Sequence, residues 1–137
     1  MADCIFCMIA NGEIPSNTVY EDEDFKCVLD ISPANKGHVL ILPKAHAANI
    51  LELSDELKAK VLRLASKIGK AQLEALKADG FNLVVNTGEA AGQTVMHFHM
   101  HVIPRFDSDT DMVTWTQGSY GEGEAETFAE NIKKYVK

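Results

Sequence analysis

Val95-Met96-His97-Phe98-His99-Met100-His101-Val102-Ile103 sets imidazoles in strict alternation with apolar side chains. Successive side chains on a strand point to opposite faces, so the stretch predicts a strand over 95–103. His97, His99 and His101 would share one side, with neighbours roughly 6.5–7 Å apart. Phe98, Met100 and Val102 would face a core on the other. Imidazoles among apolar residues are costly to leave without partners, so three in register point to chemistry rather than to a half-exposed strand face.

Working outward, residues 81–86 read as a strand, joined to the histidine strand by a loop over 87–92 with Gly88 and Gly92. Before it, Ser54 has the character of an N-cap, with Asp55 and Glu56 in the first turn, where acids suit the helix dipole. Leu57, Val61, Leu64, Ile68, Ala71 and Ala75 then recur at helical spacing, predicting one long helix that ends near Asp79-Gly80. Residues 38–42 are an apolar strand stopped by Pro43, and 31–37 form a loop by their Pro and Gly content. Strands over 18–20 and 25–29 flank a polar turn at 22–24, and a short helix fits 4–10. A terminal helix is expected over 124–135, with Phe128, Ile132 and Tyr135 or Val136 inward. Short hairpin connections favour a mostly antiparallel sheet of about five strands, with one long helix and a C-terminal helix. The class is α+β, in a single domain over 1–137.

The 137 residues are 46% hydrophobic and 24% charged, which is ordinary globular composition and enough for a real core. A net charge of −7 argues against binding a nucleic-acid polymer, which needs clustered Lys and Arg. It leaves room for a small anion held by backbone N–H groups. The sequence shows neither a secretory leader nor a membrane span, so a cytoplasmic protein is expected. Three cysteines make a poor disulfide framework. Cys4-x-x-Cys7 suggests metal binding or redox chemistry. The redox reading needs a βαβ context that is not seen, and the zinc reading needs two further ligands. Cys27 falls mid-strand and reads as core.

Two chemistries use such a histidine run. Neutral imidazoles can hold a catalytic metal, or one imidazole can attack phosphorus while its neighbours fix its tautomer and serve the leaving group. Spacing alone does not choose between them. Gly92-Gln93-Thr94, just before the strand, can offer backbone N–H groups, an amide and a hydroxyl to phosphate oxygens.

The stretch from Ala91 to Arg105, with its core His97-Phe98-His99-Met100-His101-Val102-Ile103, resembles the signature of the histidine triad superfamily. Asp30-Ile31-Ser32-Pro33, the run from Lys36 to Lys44, and Asp3-Cys4-Ile5-Phe6-Cys7 match as well. The resemblance covers residues 3 to about 106. It implies a hydrolase or transferase acting at the α-phosphate of a purine nucleotide, with His99 as nucleophile and a nucleotidyl-histidine intermediate. It implies that the His97 carbonyl holds the proton on one nitrogen of His99, and that His101 and His38 line the same phosphate site. Gly92, Gln93 and Thr94 would contact phosphate or leaving group, with Asn86 nearby. Asp30 would accept from the ribose hydroxyls and Ile31 would pack on the base. Thr94 stands where one branch of the family carries Ser. The resemblance further implies a structural zinc on Cys4, Cys7, His46 and His97, no organic cofactor, and a homodimer. The rival readings are a zinc hydrolase with a catalytic metal on His97, His99 and His101, and a nucleotide-binding regulatory protein with little turnover.

Overall fold

The computed structural model describes residues 4–110 and 116–136. Five strands, β1 (Thr18–Glu21), β2 (Phe25–Leu29), β3 (Val39–Pro43), β4 (Gly80–Val84) and β5 (Met100–Arg105), form one sheet in the order β1-β2-β3-β5-β4. Every neighbouring pair is antiparallel. Helices α1 (Ile5–Ala10) and α2 (Asp55–Leu76) cover opposite faces, and α3 (Glu124–Lys133) follows the sheet. The α+β architecture expected from the sequence is the one observed.

Alternation along the strands builds the two faces. Phe25, Cys27, Val39, Ile41, Met100 and Val102 point to α2 and join Val61, Leu64, Ala65 and Ile68 in the main core. Val28, Leu40 and Leu42 point the other way, where Phe6 and Ile9 of α1 cover them. Burial pushes the Cys27 thiol up to about 12, so it behaves as a small core hydrophobe.

Ser54 does cap α2, its hydroxyl accepting from Leu57 N–H at 3.2 Å. The helix stops at Leu76, with Lys77 left-handed at φ 57°, earlier than the expected end near Asp79-Gly80. Its buried stripe runs through Val61, Leu64, Ala65, Ile68, Gly69 and Gln72, whereas Ala71 and Ala75, placed inward from their spacing, are exposed. At about 3.6 residues per turn the expected positions keep one azimuth from Leu57 to Ala75, but the buried face is centred to one side of that line, taking in Ala65, Gly69 and Gln72 and leaving Ala71 and Ala75 outside it. The Gln72 amide is anchored there, donating to the carbonyls of Gly37 and Val102, each at 2.9 Å.

The histidine strand starts later than its pattern suggests: β5 begins at Met100, not at 95. Its ladder with β3 covers only Val39↔Val102 to Ile41↔Met100. One or two steps further it would meet Pro43, which has no N–H to give and whose carbonyl faces His97 Nε2 at 2.9 Å. Phe98 N–H donates instead to Ala47 O at 2.6 Å. The alternation of faces survives without the ladder: Phe98 is in the main core, while His97 and His99 meet Phe6 on the α1 side. Smaller differences are that β3 starts at Val39, β4 covers Gly80–Val84, and the loop before β5 holds a 3-10 turn, Glu89–Ala91.

The C-terminal expectation is corrected. Helix α3 ends at Lys133, and Phe128, Ile132, Tyr135 and Val136 are 53–80% exposed rather than inward. Its periodicity is helical, but the described residues do not bring its apolar face onto the sheet. No helix among the described residues is long and apolar enough to cross a membrane.

Gly69 is where α2 comes closest to β4. A Cβ there would lie 2.4–2.6 Å from three atoms of the Phe81 ring. Gly69→Ala should therefore destabilise the protein by about 1–3 kcal/mol, overriding the helix-propensity gain of about 1 kcal/mol. Urea unfolding checks this, and pairing the change with Phe81→Leu should recover much of the loss.

Candidate active site

The five histidines of the chain sit in or beside one line on the α1 face, and for four of them the hydrogen-bond partners fix which nitrogen carries the proton. His99 Nδ1 lies 2.8 Å from the carbonyl of His97. A carbonyl only accepts, so Nδ1 holds the proton and Nε2 keeps its lone pair. His38 Nδ1 accepts from Ala34 N–H at 3.0 Å, which puts the His38 proton on Nε2. That proton is donated to His101 Nδ1 at 2.9 Å, leaving His101 with Nε2–H as a free donor. Burial, with His99 and His38 close by, pulls the His101 pKa down to about 4, so the ring is neutral near pH 7. Burial lowers His38 as well, with Asp30 opposing it from 3.7 Å.

His99 and His101 open onto a cavity of about 410 Å³. One wall is α1 and the chain after it, through Ile5, Phe6, Ile9 and Ile14. The other is the end of β2 and the loop beyond, through Leu29, Asp30 and Ile31, and Thr94 and Val95 complete the rim. Phe6 stands edge-on to His99, with ring centroids 4.8 Å apart. Asp30 is fixed by an Asx turn, Oδ1 accepting from Ser32 N–H at 2.8 Å. Ile31 is 95% exposed at the mouth.

Of the expected site residues, His99, His101, Asp30, Ile31 and Thr94 come together at this cavity, with His38 behind His101. Gln93 does not line it. Its amide donates to Ala48 O at 2.7 Å and Val95 O at 3.0 Å, and its oxygen accepts from Gly88 N–H at 2.9 Å. It braces the loop that carries Thr94. Gly92, at φ +99°, turns that loop beside the Asn86 side chain, and neither lines the cavity. The apolar wall from α1 was not anticipated. The signal available was the apolar triple Ile5, Phe6 and Ile9, legible only once the helix is known to lie across the histidines.

Beside the cavity, Cys4 Sγ, Cys7 Sγ, His46 Nδ1 and His97 Nδ1 lie within 4.8 Å of one another. His97 Nε2 donates to Pro43 O, so Nδ1 presents a lone pair to this cluster. The sulfur–nitrogen separations are 3.3 and 3.4 Å and the two nitrogens are 3.2 Å apart. Those approach the edges of a tetrahedron around a metal with bonds of about 2.0–2.3 Å, which are roughly 3.3–3.8 Å. Two thiols and two imidazoles in that shape fit a closed, four-ligand metal site. The three triad rings do not converge on one point. His97 belongs to this cluster, His101 to one with Asp30 and His38, and His99 to neither.

Residues 11–108 match the HIT domain, and the chain belongs to the HIT, or histidine triad, family. It is 37% identical over 135 residues, 98% of both chains, to a Schizosaccharomyces pombe protein named adenosine 5'-monophosphoramidase hnt1. A crystal structure of a Streptococcus mutans UA159 protein superposes with a TM-score of 0.93 at 44% identity, covering 100% of this chain and 87% of that one. A Zn-bound histidine triad family protein from Mycobacterium smegmatis superposes at 0.78 with 34% identity, covering 97% and 95%.

The lowered His101 pKa carries a stability consequence. The unfolded ring takes up a proton as pH falls through about 6.5, while the folded ring resists until about pH 4. The unfolded state then binds more protons, so this contribution is full above the unfolded pKa and declines between these values. His101→Gln should flatten the acid limb of a stability-against-pH curve measured by urea titration; an unchanged limb would contradict the assignment.

Proposed function

We propose that the cleft binds a purine nucleoside phosphate and that His99 Nε2 attacks its α-phosphorus. The observation that carries this reading is the bond from His99 Nδ1 to the His97 carbonyl, which directs the lone pair of Nε2 away from the backbone. A bond forms from Nε2 to phosphorus, and the bond from phosphorus to an amine, phosphate or second nucleotide breaks. His101 Nε2–H stabilises the leaving atom. Water then cleaves the nucleotidyl-histidine and restores the free ring. Asp30 accepts from the ribose hydroxyls, and Ile31 with the α1 wall holds the base. Thr94 and the loop of Gly92, Gln93 and Asn86 serve the phosphate side, Gln93 by bracing the turn. The similarity to a named monophosphoramidase supports this substrate class.

In the same reading Cys4, Cys7, His46 and His97 hold a structural zinc, which supplies a cross-link and no chemistry. The donor set and a Zn-bound relative support it. With His97 facing the cysteines, the reading is favoured over a metallohydrolase with its metal on all three triad rings. The protein is further proposed to be a homodimer, supported by the position of β4 at the edge of the sheet among the described residues and by the exposed Leu62, Leu83 and α3 face.

Two measurements test the reading. Early-quenched mass spectrometry with an adenosine phosphoramidate should show a nucleotidyl adduct on His99, and His99→Ala should lose about a thousandfold or more in kcat. Retention of a tenth of the activity would remove His99 as nucleophile. Separately, Asp30→Ala should weaken AMP binding by about 1.5–3 kcal/mol. A 2′-deoxy substrate should then lose far less in the variant than in the wild type; equal losses would take Asp30 out of the ribose site.

A further inference from the structure

We infer that a metal held by Cys4, Cys7, His46 and His97 latches α1 as a wall of the nucleotide cleft, so that occupancy of the cluster sets substrate affinity. This rests on the readings of the cleft and cluster given above. Helix α1 has 6 residues, well short of the roughly 12–15 at which an isolated helix becomes even marginal. Its order comes from what grips it. Towards its C-terminal end, Ile9 packs on the second hydrophobic cluster and its carbonyl accepts from Lys26 Nζ at 3.2 Å. At its N-terminal end the partners of Cys4 and Cys7 across the fold are the imidazoles of His46 and His97. Phe6 also packs on the second hydrophobic cluster and stands edge-on to His97 and His99, but neutral thiols are weak donors, so without a cation the polar grip on that end is weak and the Phe6 packing must hold it.

Ile5 and Phe6 lie between the two cysteines, and both line the cavity. The latch therefore holds the two side chains that close the cleft over His99. Phe6 of α1 touches the edge of His99, but the hydrogen bonds that orient the nucleophile lie elsewhere: His99 Nδ1 bonds the His97 carbonyl, and the His97 ring keeps its bond to Pro43 O. A loosened latch should consequently raise KM and leave kcat nearly alone.

The test compares zinc-loaded wild type, chelator-stripped wild type and His46→Ala, which removes a ligand without altering α1. Three quantities are read: amide exchange across the chain, AMP affinity by calorimetry, and kcat with KM for an adenosine phosphoramidate. Stripped protein and His46→Ala should both lose protection in residues 5–10 while β2, β3 and β5 keep theirs. AMP affinity and KM should worsen about tenfold, with kcat within about threefold. Added zinc should restore the stripped wild type. Unchanged protection or affinity after stripping overturns the latch. So does a fall in kcat at constant KM, which would put the metal's influence on His99, and so does loss of the sheet together with α1. If the loaded protein fails to bind AMP, the nucleotide reading fails, while the exchange pattern still judges the latch.

Discussion

His97 is fully buried, and its two ring nitrogens and its carbonyl each meet a different part of the molecule. Its Nε2 proton goes to Pro43 O at the end of β3, its carbonyl accepts from His99, and its Nδ1 faces Cys4, Cys7 and His46. A buried imidazole with an unmet polar atom would be costly. Satisfying all three groups fixes the ring, its tautomer and the direction of its carbonyl together. The orientation of His99 follows, because that carbonyl decides which of its nitrogens carries the proton. The end of β3 follows too: Pro43 has no N–H to extend the ladder, which leaves its carbonyl available to His97.

Features that depend on residue type and local alternation could be read from the sequence. The side each triad ring takes, the Ser54 cap and the five-stranded α+β plan are of this kind. The cysteine pair and its two histidines, implied by family resemblance, meet at one cluster in the structure. Features set by distant partners could not be read. The 95–103 pattern is that of a strand, yet residues 95–99 leave the ladder because their hydrogen bonds go to Ala47, to Pro43 and to the His99 ring. Gln93 looks like a phosphate ligand in a Gly-bearing turn until the carbonyls of Ala48 and Val95 are seen to claim its amide. Gln72 lies outside the apolar stripe, yet it is buried with its amide donating to Gly37 O and Val102 O. The apolar face of α3 carries an inward signal by periodicity alone, and periodicity does not say which surface covers it.

The electrostatics of the cleft suit the proposed reaction better than simple anion binding. Among the described residues no Lys or Arg lines the cavity and one carboxylate does, and the whole chain carries a net charge of −7. A phosphate entering there meets neutral donors, so ground-state affinity must come from the apolar walls and the sugar. Strong positive charge would bind substrate and transition state alike, which lowers KM without raising kcat. In the proposed reaction charge would instead develop at His99, whose ring would become cationic as Nε2 bonds to phosphorus. The His97 carbonyl already points at the Nδ1 proton from 2.8 Å. That hydrogen bond would strengthen as the ring gains charge, so in the proposed reaction its stabilisation would be greatest in the transition state and intermediate. The carbonyl that orients the proposed nucleophile would thus also stabilise its charge, and it is placed for both because the side chain of its own residue is anchored on Pro43 O.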